Sequence, residues 1–155
     1  MSGIIETAAA ALALSFAGSV GADHFEVKTF GPSLVQVGAR AALDGDYDKA
    51  ERFTRRALEE PVSYKSKAIA WANLCAIAAR QGDMAGAEAA CDAALQENPA
   101  SDIARRNRAA LRYQQGEYAL AQRDLDILFE DGADAGAERL RAAVNSARTQ
   151  LATAR

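Results

Sequence analysis

From Leu34 onward the chain alternates between apolar residues at three- and four-residue spacing and short polar interruptions, which predicts a run of amphipathic helices. The stretch Ala68–Pro99 is the clearest. Trp71, Leu74, Cys75 and Ala78 mark one helix, Gly82-Asp83 a break, Ala87, Cys91 and Ala94-Leu95 a second helix, and Pro99 an end. The pattern recurs on both sides. Upstream, Leu34–Pro61 carries Gly38, then Gly45-Asp46-Tyr47, Ala50, Ala57-Leu58 and Pro61. Downstream, Asn107-Arg108-Ala109 precedes Gly116-Glu117-Tyr118, Ala121, Leu125 and Leu128.

The breaks have a common chemistry. Gly45, Gly82 and Gly116 stand where a helix ends and a left-handed residue is wanted. An acid follows each, Asp46, Asp83 or Glu117, near the positive end of the next helix. Ala50, Ala87 and Ala121 are expected where two helices cross closest, and Trp71 and Leu74 on a packed face. The turn glycines are 37 and 34 residues apart, and the three extra residues are expected as an insertion within Val62–Lys67. After Asp131-Gly132 a last helix is expected, N-capped by Asp134. Its stripe is Ala137, Leu140, Val144, Ala147 and Leu151, with Glu138, Arg139, Arg141, Asn145 and Gln150 off it. That stripe suits an end cap on the array, and it suits a dimerising helix as well.

The spacing resembles the tetratricopeptide repeat, a helix–turn–helix unit of about 34 residues with the signature W-x2-L-G-x2-Y…A-x3-F…P. Cys75 and Ala78 depart from it, standing where the family has glycine and tyrosine. The resemblance covers residues 32–130, and the cap extends it to 152. It implies an all-α fold, a right-handed superhelix of three such repeats (about 32–61, 68–99 and 102–131) plus a capping helix, 134–152. Together these make a domain of 32–152.

In that family the first helices of successive repeats line a concave groove that holds a peptide. Carrying the groove positions over gives Val35 and Ala39, then Ile69, Ala72, Asn73, Ala76 and Arg80, then Ile103, Arg106, Asn107, Ala110 and Tyr113. The asparagines can bond a peptide backbone in either direction, and the arginines suit a carboxylate. The family's clamp for chaperone tails needs lysine and asparagine in the first repeat, asparagine in the second, and lysine and arginine in the third, where this chain has Val35, Ala39, Asn73, Ile103 and Asn107. Only Asn73 fits, which disfavours that role. Cys75 and Cys91 fall at packed positions on the two helices of one repeat. They read either as two buried thiols or, in an oxidising compartment, as a disulfide.

Residues 1–22 differ from all of this. Ala8–Gly18 is an apolar run ending at the small-residue site Val20-Gly21-Ala22, the layout of a cleaved signal peptide. The run is too short for a membrane span of about 20 residues. The n-region lacks Lys and Arg, so an N-terminal helix in a cytoplasmic protein is the alternative. Next, in the lead segment 23–31, Phe25, Val27 and Thr29 alternate with Glu26 and Lys28 as in a strand, and Gly31-Pro32 starts the first helix. This lead is expected as a flexible tether or as a strip lying in the groove. His24 is expected in solvent.

Composition narrows function by exclusion. The formal charge is −3 with signs interspersed, which argues against nucleic acid. A single histidine leaves no Ser-His-Asp or Cys-His pair. No CxxC and no phosphate-binding glycine loop occurs, so neither metal nor cofactor is expected. Carboxylates such as Glu59-Glu60, Asp124 and Asp126 read as solvated helix faces. The chain therefore reads as a non-enzymatic interaction module, periplasmic or secreted, that binds a segment of another protein without membrane insertion. The alternative is a structural protein that self-associates through its last helix or its lead.

Overall fold

The computed structural model describes residues 24–130 and 132–154. The signal-peptide expectation, residues 1–22, lies outside them. Among the described residues the fold is all-α, with seven helices and no strand. They are α1 (Ser33–Leu43), α2 (Tyr47–Glu59), α3 (Tyr64–Gln81), α4 (Met84–Glu97), α5 (Asp102–Gln114), α6 (Tyr118–Glu130) and α7 (Ala135–Thr153). Helices pack chiefly with their sequence neighbours, so α1–α2, α3–α4 and α5–α6 form three hairpins, and α7 lies against α6 and α5.

The turns explain the pairing. Gly82 ends α3 at φ +83°, with Gly45 and Gly116 equivalent at +81° and +77°. Side chains then restart the helices. Asp46 accepts a hydrogen bond from the Lys49 N–H at 3.1 Å, and Asp83 from the Gly86 N–H at 2.9 Å. Each such cap satisfies a donor that the helix start leaves open and is worth about 1 kcal/mol. Within the hairpins Ala50, Ala87 and Ala121 are fully buried, so neighbouring backbones can come close.

The closest approaches fall in one column of the array. In the first hairpin a Cβ added at Gly38 would lie 2.2 Å from Thr54 Oγ1. The equivalent residues of the second hairpin, 37 further on, are Cys75 and Cys91. These are joined by a disulfide with alpha carbons 5.1 Å apart. In the third hairpin the column holds Ala109 and Leu125, both buried.

Four expectations change. Tyr64–Lys67 belong to the first turn of α3 and are no loop insertion, because Ser63 caps the helix by accepting from the Ser66 N–H. Asp124 is no solvated carboxylate. It is 2% exposed and takes hydrogen bonds from Arg108 at 2.8 and 3.0 Å and from Arg112 at 2.7 Å. Its carboxylate raises the Arg108 guanidinium above its ordinary value against the opposing pull of burial. Trp71 is only half-buried, against the edge of the core. Finally, the stripe of α7 is covered only over its first half. Ala137, Leu140 and Val144 are buried, whereas Leu151 is 53% exposed, since the array ends before the helix does.

Candidate binding groove

The chain's own lead segment lies across α3 and α5, which hold its backbone. Residues 25–30 adopt no helix or strand, yet their backbone is held as an edge strand would be. Asn107, on α5, receives the Glu26 N–H at Oδ1 and donates from Nδ2 to the Glu26 carbonyl, both at 2.9 Å. Asn73, on α3, does the same for Lys28, receiving its N–H at 2.9 Å and donating to its carbonyl at 3.0 Å. Alternate residues of an extended chain present N–H and C=O to the same side, and each primary amide has one acceptor and two donors to meet them. Gln36, on α1, adds a third amide by donating to the Gly31 carbonyl at 2.7 Å. Arg80 donates to the Phe25 carbonyl at 3.0 Å.

The side chains of the lead divide by parity. Phe25 is buried, in one apolar cluster with Ala76 and Ala110, and Val27 packs against the same cluster. Glu26 points the other way and pairs with Lys28 Nζ at 2.5 Å and with Arg106. Arg106 is itself 7% exposed and bridges to Asp134 at the start of α7 through Nη1, at 2.6 and 2.7 Å. Burial disfavours the Asp134 carboxylate, but the Ala137 N–H, the Arg106 guanidinium and the Gly136 N–H outweigh that and hold it below its ordinary value. The Nε of Arg106 is buried without a hydrogen-bond partner. Beside it a cavity of about 330 Å³ opens between the lead, the start of α5 and the start of α7, with Ile69, Ile103 and Lys65 in its wall.

The residues expected to line a groove thus have different places. Asn73, Arg80, Arg106 and Asn107 touch the lead directly. Tyr113 meets His24 edge to face, with ring centroids 5.6 Å apart, so that histidine is not simply in solvent. Ala76 and Ala110 form the floor under Phe25. Ile69 and Ile103 line the cavity, while Ala72 serves as a backbone acceptor for Asn107 Nδ2 at 3.0 Å. Val35 is not a groove residue, because it packs with Ala57 and Ala70 where the first two hairpins meet. Ala39 is fully buried. The tether expectation fails for residues 25–28, whose backbone is pinned from both flanking helices.

Gln36 was not among the expected residues, although its position was readable. It stands 37 residues before Asn73, and Asn107 stands 34 after it, the same offsets as the turn glycines. An amide at all three places is the signal. Among the described residues no group of His, Cys, Asp or Glu could hold a metal ion, and no helix is long and apolar enough to cross a membrane. Comparison of the chain with family models, with curated proteins and with solved structures gives no match.

Proposed function

We propose that this chain is a non-enzymatic protein of the tetratricopeptide-repeat kind, its three hairpins wound as a right-handed superhelix. Its inner face binds an extended polypeptide segment, and it serves as an adaptor or assembly factor in a bacterial cell envelope. One observation carries the reading: the buried asparagines Asn73 and Asn107 each pair with both the N–H and the C=O of an extended backbone, two residues apart. That geometry matches any peptide laid along the same line, since it uses no side chain of the bound segment. Export from the cytoplasm is supported by the Cys75–Cys91 disulfide, a bond that persists mainly in oxidising compartments.

The test is a photo-crosslinking residue in place of Tyr113, on the inner face, and a control in place of the exposed Arg55, in the full chain within its native cells. A polypeptide adduct at position 113 and none at 55 is expected. Equal labelling at the two sites, or none at 113, overturns the reading. A second reading has its own support. The uncovered half of the α7 stripe, ending at the half-exposed Leu151, suits self-association. Sedimentation of a monomer at every concentration removes it.

A further inference from the structure

The lead segment is itself a bound peptide, so its contacts describe what the groove selects. We infer that residues 24–28 are a displaceable occupant, and that the partner is an extended segment of the order apolar–acidic–apolar with its amino end at α5 and its carboxyl end at α3. This rests on the reading of the inner face as a polypeptide groove.

Three features give the pattern. The apolar positions are those of Phe25, buried among Ala76, Ala110 and their neighbours, and of Val27 on the same side. The acidic position between them is that of Glu26, which faces the Arg106 guanidinium. Arg106 is almost wholly buried, and its only ion-pair partners are Glu26 and Asp134 among the described residues. A neutral or basic residue there would leave a buried cation short of one of its two carboxylates, and loss of one partner of a buried pair is costly. Polarity comes from a third contact. A primary amide alone serves either chain direction, but Asn107 Nδ2 also donates to the Ala72 carbonyl at 3.0 Å, which fixes which end of the amide is which. The ligand must therefore offer its N–H to Oδ1 and its C=O to Nδ2, as Glu26 does. Arg80 repeats the constraint at the Phe25 carbonyl.

Displacement follows from how little holds the lead. Its apolar contribution is one buried side chain, Phe25, and one partly buried, Val27, residues 25–30 form no helix or strand, and Phe30 beyond it is 59% exposed. Segments with few buried contacts open at low free-energy cost. Because the lead is covalently attached, it competes at a high effective concentration, about millimolar for a short linker. The partner therefore sees a groove weakened by its occupant.

The experiment uses the full chain and a fluorescent peptide of sequence DHFEVKTF, capped at both ends, read by anisotropy. The variant Glu26→Pro/Lys28→Pro removes the two backbone donors of the lead and, with Glu26, the carboxylate that faces Arg106, leaves Phe25 and Val27 in place, and proline keeps the preceding residue extended. It should bind the peptide at least about tenfold more tightly than the unaltered protein. A peptide with lysine at the glutamate position should bind this variant at least about tenfold more weakly, and the reversed sequence should lose a comparable factor. Adding Asn73→Ala/Asn107→Ala should abolish binding. The inference is overturned if the proline variant binds no better than the unaltered protein, or if the charge-reversed peptide binds equally well. Should circular dichroism show the double variant unfolded, Lys28→Pro alone takes its place. It must still exceed the unaltered protein in affinity, and equality overturns the inference. Crosslinking at position 113 without peptide binding would remove the inference and leave the groove; absence of both would remove the groove and the inference with it.

Discussion

The first and central hairpins are built on one plan and fastened differently. In the first, α1 and α2 approach so closely that Gly38 has no room for a side chain beside Thr54. In the central hairpin the same two positions carry Cys75 and Cys91, and the contact is covalent. The central hairpin also has neighbours on both sides, whereas α1 keeps Val37 and Leu43 partly in solvent. The difference teaches that a close helix crossing can be kept by absence of bulk or by a bond. The bond sits in the unit that holds half of the lead's asparagine pairs, where any shift of α3 against α4 would carry Asn73 away from Lys28.

The sharpest way to break this comparison is to remove the bond. Cys75→Ala/Cys91→Ala should cost about 3 kcal/mol, the value for a closed loop of this length, read as a fall in the urea midpoint. A reducing agent should produce a similar fall in the unaltered protein and none in the variant. Next comes Gly38→Ala, which forces a Cβ against Thr54 and should cost about 2 kcal/mol. Adding Thr54→Ser leaves the Oγ1 clash in place and should not restore it, while Thr54→Ala should restore part.

The amide column gives a finer contrast. Asn107→Ala strands the Glu26 and Ala72 backbone groups and should cost about 2 kcal/mol, whereas Gln36→Ala, at an exposed position, should stay within about 0.5 kcal/mol. Hydrogen exchange at the Glu26 amide should rise in the first variant and not in the second. The smallest effect concerns Asp134, the second carboxylate on Arg106. The folded-state value of Asp134 lies below its ordinary one. Its contribution is therefore fully present above the ordinary carboxylate range, about pH 4, and is lost as pH falls through the lowered folded value. Since that side chain is 59% exposed, the loss should be slight. It should show as a shallower acid limb in Asp134→Asn than in the unaltered protein.

Much of the fold was legible because it rests on local chemistry. The helix periods, the glycines at 45, 82 and 116, and the acids after them act within a few residues of one another. The α7 boundary was legible for the same reason, through the Asp134 cap. What sequence alone left open depends on distance along the chain. Alternation in Phe25–Lys28 indicates an extended segment and not its location, which depends on asparagines 45 and 81 residues away. Asp124 was misread because its two arginines come from α5, and a carboxylate among charged neighbours looks the same whether it is solvated or enclosed. Arg106 was legible as an inner-face residue, but its pairing across to Asp134 was not.

The lead runs against the order of the helices, passing α5 at Glu26, α3 at Lys28 and α1 at Gly31. The earliest described residues to leave the ribosome therefore wait for some of the latest. The Lys28 backbone cannot pair with Asn73, nor the Glu26 backbone with Asn107, until those asparagines have emerged, so the segment's backbone stays unattached while two hairpins fold behind it. Closing a loop of that span is slow relative to helix pairing. In that interval the nascent protein has both a vacant groove forming and an unattached strand that fits it, on the same chain and on every neighbouring copy being made.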